Sequence, residues 1–242
     1  MLENVIKQQI CQIGKRMYDS GFVAANDGNI TVKLSGSEII TTPTGVSKGF
    51  MTPEMMIKVD MEGNILVAND RWRPSSELKM HLRVYKDRPD VEAVVHAHPP
   101  YATTFAIARI PLNKPLIAEA IVALGCVPVA EYGTPSTNEI PEAVAGYLEQ
   151  FDAVLLANHG ALAWGADLVN AYHKLESVEF YAKLTFLSMQ LGSSQELSTA
   201  QIEKLYSMRK KPALSSHHQG TLCGIECTLQ CSRNNARKTE KM

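Results

Sequence analysis

Helical and strand periodicities alternate along this chain without a regular strand-helix-strand rhythm, and that irregularity constrains the fold more than any single motif. Ile6, Ile10, Ile13 and Met17 recur at helical spacing until Asp19-Ser20-Gly21. Ile30, Val32 and Leu34 then alternate with polar residues, Ser35-Gly36-Ser37 turns the chain, and a second strand runs from Glu38 to Thr42. Met56–Asp60 and Ile65–Ala68 flank Glu62-Gly63-Asn64 as a second hairpin. Pro74-Ser75-Ser76-Glu77 opens a helix with Ser75 as its cap and Leu78, Leu82 and Tyr85 as its buried stripe. Val91–His98 is a strand cut off by Pro99-Pro100, followed by a short Ala-rich helix, an irregular segment over 110–120 and a strand near Val127–Ala130. A helix over 139–150, a buried strand Ala153–Ala157, a long helix over 167–191 with Leu168, Tyr172, Leu175, Val178, Ala182 and Met189 on one face, and a last helix opened by Ser198-Thr199-Ala200-Gln201 complete the reading. Hairpins mixed with helices predict an α/β chain of α+β character. Its single domain over 1–209 has a central, mostly antiparallel sheet with helices on both faces.

Residues 210–242 differ. They are basic and polar, lack periodicity and hold Cys223, Cys227 and Cys231, so a poorly ordered tail is expected. The spacing of those cysteines is neither C-x₂-C nor C-x₃-C-x₂-C, and a second metal site there is the weaker reading. With 24 Lys+Arg against 25 Asp+Glu, the net charge of −1 argues against nucleic acid or anionic membrane as partner. No apolar run approaches the roughly 20 residues needed to cross a bilayer. Glu3, Lys7, Gln8 and Gln9 interrupt the first apolar residues, which leaves no signal-peptide core. Five cysteines, with Cys11 and Cys126 alone in apolar stretches, form no disulfide framework, and the expected location is cytoplasmic.

The stretch with most chemistry in it is His96-Ala97-His98-Pro99. Residues i and i+2 of a strand share a face, so the two imidazoles stand side by side where Pro99 ends the strand. His159, at the end of another strand with Gly160 allowing close approach, is a third candidate ligand, and Glu77 a fourth. Three histidines and a carboxylate suit zinc or a similar divalent ion such as manganese. Any one of these histidines alone reads more simply as a hydrogen-bonded core or surface residue; the joint pattern favours metal. His81, four residues after Glu77, reads as a supporting or structural residue, His173 as solvated, and His217 and His218 as tail residues. Asn26-Asp27-Gly28-Asn29, Thr41-Thr42-Pro43-Thr44-Gly45 and Pro74-Ser75-Ser76 are dense in small polar residues. Such loops hold a phosphate through hydroxyls, an amide and exposed backbone N–H groups, though each alone is also an ordinary turn.

Gly28-Asn29-Ile30, Thr42-Pro43-Thr44-Gly45, Pro74-Ser75-Ser76-Glu77, His96-Ala97-His98 and Asn158-His159-Gly160 stand in the order and spacing of the class II aldolase/adducin family, which the chain resembles over residues 1 to about 209. The resemblance implies His96, His98 and His159 as zinc ligands. Glu77 would ligate at rest and act as acid/base once substrate displaces it. Gly28, Asn29, Thr44, Gly45, Ser75 and Ser76 would hold the substrate phosphate. It further implies a homotetramer with sites between subunits, and cleavage of a ketose 1-phosphate such as L-fuculose 1-phosphate to dihydroxyacetone phosphate and a short aldehyde, through an enediolate whose charge the metal stabilises. Glutamate after Ser-Ser resembles the family's aldolases; its 4-epimerases carry aspartate there.

The chain departs from the fuculose-phosphate enzymes in having no tyrosine between Tyr101 and Tyr132. Glu119 falls close to where the epimerases carry an acidic acid/base residue and is the candidate proton donor, against the plainer reading of a surface or interface glutamate. Tyr206, near the end of the resemblance, is the lesser candidate. The alternatives are a 4-epimerase, dehydratase or decarboxylase of the same family, or a non-catalytic adducin-type binding module, which need not keep four ligands. A cupin-type oxygenase would place a glutamate soon after the histidine pair, where this chain has Pro99-Pro100-Tyr101-Ala102.

Overall fold

The computed structural model describes residues 2–34, 36–67 and 71–208. Helix α1 (Leu2–Asp19) buries Ile10, Ile13, Gly14 and Met17, as its spacing predicts. Strands β1 (Asn29–Lys33) and β2 (Ile39–Thr41) form the expected hairpin with Thr31 opposite Thr41. The second hairpin shrinks to β3 (Ile57–Val59) and a single bridge between Val59 and Ile65; Ala68 lies outside the described residues. Then follow α2 (Leu78–Asp87), β4 (Ala93–Ala97), α3 (Pro100–Ala108), α4 (Ala118–Ala123), β5 (Val129–Ala130), α5 (Glu139–Ala145), β6 (Ala153–Leu156), β7 (Gly160–Gly165), α6 (Leu168–Gln190) and α7 (Thr199–Met208). The sheet has seven strands in the order β3-β2-β1-β4-β7-β6-β5, and every pairing is antiparallel except β5 with β6.

The pleat sorts the core into two layers. On one face Ile30, Val32, Ala93, Val95, Ala97, Ala161 and Ala163 pack with apolar residues of α1, α3, α4 and α6. The alanines of β4 and β7 keep that face low, so the long α6 lies close on both strands. On the other face Val94, Val154, Leu156, Leu162 and Trp164 pack with α2 and α5. His96 takes its parity from Val94, and its register partner Asn29 shares its face. The sequence-expected single domain, with helices on both sides of a mostly antiparallel sheet, is the observed one.

Several local readings change. Gly160–Gly165 form a strand that the sequence pattern does not announce, because its glycines and alanines have low strand propensity. Yet smallness is what the place demands: a Cβ on Gly165 would lie 2.3 Å from Asn170 Oδ1 and 2.9 Å from the Ala171 nitrogen. Part of the stretch over 110–120 is helical, since α4 starts at Ala118. Helix α5 ends at Ala145, short of Gln150. Helix α2 buries Met80, His81 and Val84 together with Leu78 and Tyr85, while Leu82 is half-buried. Ser75 does not cap α2 itself; its hydroxyl accepts the Glu77 N–H at 3.3 Å in the turn before it. Met189 is 43% exposed rather than part of the buried stripe of α6. The tail, with His217, His218, Cys223, Cys227 and Cys231, lies outside the described residues.

Candidate metal and phosphate site

Two segments at the same end of the sheet's central strands, the terminus of β4 and the turn between β6 and β7, bring the histidines together. His96 is the fourth residue of β4 and fully buried. His98 lies just past the strand, where its N–H donates to the Phe22 carbonyl at 2.9 Å. His159 sits in the tight turn between β6 and β7, whose Asn158 adopts a left-handed φ of 56°. Gly160 is required there: a Cβ would lie 2.4 Å from the Ala97 oxygen and 2.6 Å from the His98 ring. One ligand atom from each histidine lies within 4.8 Å of the other two.

Glu77, in the turn before α2, closes the set. Its Oε1 is 2.9 Å from His159 Nε2 and its Oε2 3.6 Å from His96 Nε2. Asn29 donates from Nδ2 to Glu77 Oε2 at 2.7 Å. Burial opposes ionisation of Glu77, but the His96 and His159 imidazoles and the Asn29 amide together hold its pKa well below the usual carboxylate range. Burial likewise holds the pKa of His96 far below the ordinary imidazole value, against the pull of Glu77, so the ring is neutral.

The donor set fits a divalent cation. His96 Nδ1 faces the Ala161 carbonyl at 2.9 Å, and a carbonyl only accepts, so Nδ1 carries the proton and Nε2 presents its lone pair. His98 Nδ1 faces Asp27 Oδ2 at 3.3 Å in the same sense. The two Nε2 atoms then stand 3.1 Å apart, lone pair towards lone pair, an arrangement that favours a cation within reach of both. A partner on the far nitrogen orienting a ligating imidazole is the usual support of a zinc-type site. His81 stays out of this cluster. It is fully buried with Nδ1 2.9 Å from Thr31 Oγ1, and burial lowers its pKa to about 3, which keeps it neutral.

The phosphate candidates fall into bonded and open groups. Asn29 reaches Ser75 Oγ at 3.3 Å as well as Glu77, so one amide joins the serine loop to the carboxylate. Thr44 N–H donates to the Arg73 oxygen at 2.9 Å and Pro43 bridges Pro74, which binds the threonine loop to the serine loop. Thr44, Gly45 and Ser76 are exposed; Gly28 is buried at φ 75°, where a Cβ would meet the His96 oxygen at 2.9 Å. Glu119 stands elsewhere. It is in the first turn of α4 and lines a cavity of about 340 Å³ with Ile117, Glu176, Phe180 and Tyr181, and the histidines and Glu77 are not among the lining residues. Tyr206 lies on α7, which packs against α4. Sequence reasoning missed Asp27 as the partner of His98, although it was present in the Asn26–Asn29 loop, and missed the buried Lys48 behind the same loops.

A seven-stranded, mostly antiparallel sheet thus gathers three imidazoles and a carboxylate at the ends of its central strands. The family description "Class II Aldolase and Adducin N-terminal domain" matches residues 8–186, and the chain belongs to that family. It is 31% identical to the 3-oxo-tetronate 4-phosphate decarboxylase of Haemophilus influenzae, over 84% of this chain and 97% of that protein. It is 35% identical to an L-fuculose phosphate aldolase of Methanococcus maripaludis, over 79% of this chain and 98% of that one. Among solved structures, an L-fuculose 1-phosphate aldolase superposes with a TM-score of 0.78 at 34% identity, covering 84% of this chain and 95% of the other.

Proposed function

We propose that this chain is a zinc-dependent aldolase that cleaves a ketose 1-phosphate, of the class of L-fuculose 1-phosphate, to dihydroxyacetone phosphate and a short aldehyde. The observation that carries the reading is the convergence of His96, His98 and His159 on Glu77, with Asn29 linking that carboxylate to Ser75. Manganese or another divalent ion of similar preference fits the same donors. The L-fuculose phosphate aldolase of Methanococcus maripaludis, matched almost end to end, supports the substrate class.

In this reading His96, His98 and His159 would hold the ion, with Glu77 as the fourth donor in the absence of substrate. The bound ion supplies Lewis-acid stabilisation of the negative charge that develops at the substrate carbonyl as the carbon–carbon bond breaks. Glu77, kept ionised among the imidazoles and the Asn29 amide, takes and returns the proton at the carbon next to the carbonyl. Asn29, Thr44, Gly45, Ser75 and Ser76, with Gly28 beside them, hold the phosphate and fix the reacting bond over Glu77. Glu119 takes the proton from the hydroxyl whose carbon leaves as the aldehyde, and in the reverse, bond-forming direction it returns that proton to the aldehyde oxygen. Its own cavity is separate, so this role belongs to a homotetramer in which α4 borders the neighbouring subunit's site. With no helix among the described residues long and apolar enough to cross a membrane, and with its near-neutral charge, a cytoplasmic enzyme is the consistent setting.

A second reading has its own observation, the 31% identity to a 3-oxo-tetronate 4-phosphate decarboxylase along nearly its whole length. Loss of carbon dioxide from a 3-oxo acid leaves the same kind of developing charge beside a carbonyl, so the same donors would serve. The test is a paired assay of the zinc-loaded protein on ketose 1-phosphates and on 3-oxo acid 4-phosphates. Dihydroxyacetone phosphate from the first set is the expected result. Carbon dioxide from the second, with the first inert, would make it a decarboxylase; no turnover of either would favour a binding module.

A further inference from the structure

Behind the loops assigned above to phosphate lies an ammonium with no role so far. Lys48 is 1% exposed, and its Nζ donates to the Asn26 oxygen at 3.0 Å and the Val46 oxygen at 2.7 Å. Asn26 opens the loop that ends in Gly28 and Asn29, and Val46 directly follows Thr44 and Gly45. One nitrogen therefore ties together two of the three loops. A lysine head is taken out of water only at considerable cost, and two carbonyl partners compensate for part of that. Burial pushes its pKa down to about 8, against the pull of Asp27 and Glu77, so the group remains mostly charged at neutral pH.

The seat of this lysine is rigid. Lys48–Phe50 form a 3₁₀ turn pressed on α1. A Cβ on Gly14 of α1 would lie 2.9 Å from the Lys48 oxygen, and one on Gly49 would lie 2.6 Å from the Tyr18 ring. Tyr18 and Phe50 meet edge to face at 5.5 Å between ring centroids. The backbone that carries the lysine is thus seated on α1. An ammonium has three donors, and the two carbonyls use two.

We propose that Lys48 is a positioning residue for the substrate phosphate, its ammonium fixing the Asn26–Asn29 and Thr44–Val46 loops in register and adding the buried positive charge towards which a phosphate dianion is drawn. The proposal rests on the assignment of those loops to phosphate. A charge fixed inside a low-dielectric wall acts more strongly on an anion than a solvated surface lysine does.

The test uses the zinc-loaded full chain and inorganic phosphate as probe, measured by calorimetry, beside steady-state kinetics with a phosphorylated ketose and its unphosphorylated counterpart. Lys48→Met keeps the length of the stem and removes donors and charge. The expected result is a phosphate Kd, and a KM for the phosphorylated ketose, raised by about tenfold or more, with bound zinc and kcat within about threefold of the parent. Parent-like phosphate affinity would overturn the proposal, and so would an equal rise in KM for the unphosphorylated sugar. If the parent itself binds no phosphate, the assignment of the loops fails and Lys48 falls with it. Should Lys48→Met not fold, Lys48→Gln keeps amide donors without charge, and unchanged phosphate affinity in that variant would overturn the proposal equally.

Discussion

Two glutamates of this chain show how much the surroundings decide. Glu77 sits in a turn where four segments meet: the β4 terminus, the β6–β7 turn, the start of β1 and the lead into α2. Two imidazoles and an amide contact its carboxylate. Glu119 opens a six-residue helix beside a cavity whose other acidic lining residue is Glu176, and Glu176 already accepts from the Tyr172 hydroxyl at 2.9 Å. The residue type is the same; Glu77 is built into a ready donor set, whereas Glu119 stands outside it, and the role proposed for Glu119 rests on the proposed assembly.

That contrast breaks most readily at Glu77. Glu77→Gln keeps an oxygen able to ligate but accepts no proton at neutral pH, so the variant should bind zinc and lose activity by roughly 10²–10⁴-fold. Parallel metal analysis and turnover check this, and an undiminished rate would remove Glu77 from the acid/base role. The next effect is at Ser75, bonded to Asn29, and its exposed neighbour Ser76. Ser75→Ala combined with Ser76→Ala should raise KM for a ketose 1-phosphate by roughly 10-fold or more while KM for the free sugar changes little. Equal changes for both substrates would return the serines to a turn-forming role. Glu119→Gln sharpens the comparison from the other side. It should leave zinc content unchanged and slow carbon–carbon cleavage, while exchange of the proton on dihydroxyacetone phosphate continues, since that half-reaction needs only Glu77 and the ion. Slowing of both steps alike would contradict the division of labour, and slowing of neither would make Glu119 structural.

The smallest expected effect concerns stability. His81 is buried neutral with its pKa lowered to about 3, whereas in the unfolded chain it returns to the ordinary value near 6.5. Below that value the unfolded state binds the extra proton, so this group's contribution is fully present above about pH 6.5 and declines as pH falls towards 3. The limiting slope is about 1.4 kcal/mol per pH unit. Denaturant unfolding of metal-free protein at pH 7.5 and pH 5 should show the loss, and His81→Gln should lessen it, leaving the share of the buried, neutral His96. An equal slope in both proteins would mean that His81 is protonated in the fold.

What could be read in advance follows from range of interaction. The His96–His98 pair was legible because strand geometry converts a two-residue spacing into a shared face, and Pro99 marks the strand end. The β1–β2 hairpin and α1 were legible for the same local reason. Strand β7 was not: its glycines and alanines answer to the closeness of Asn170, Ala97 and the His98 ring, contacts that only the assembled fold creates. The reach of Asn29 to both Ser75 and Glu77, the support of His98 by Asp27 and the position of Lys48 behind two loops are likewise products of tertiary approach. Family resemblance supplied the grouping of the loops that spacing alone left as turns.

Everything proposed for the site depends on the four residues holding one ion. Calorimetric titration of chelator-treated protein with zinc should give one site per chain, and His96→Ala, which removes the fully buried ligand while leaving His98, His159 and Glu77, should weaken it by a large factor and abolish turnover with it. Zinc bound by the variant as tightly as by the parent, or no zinc taken up by the parent, would contradict the account.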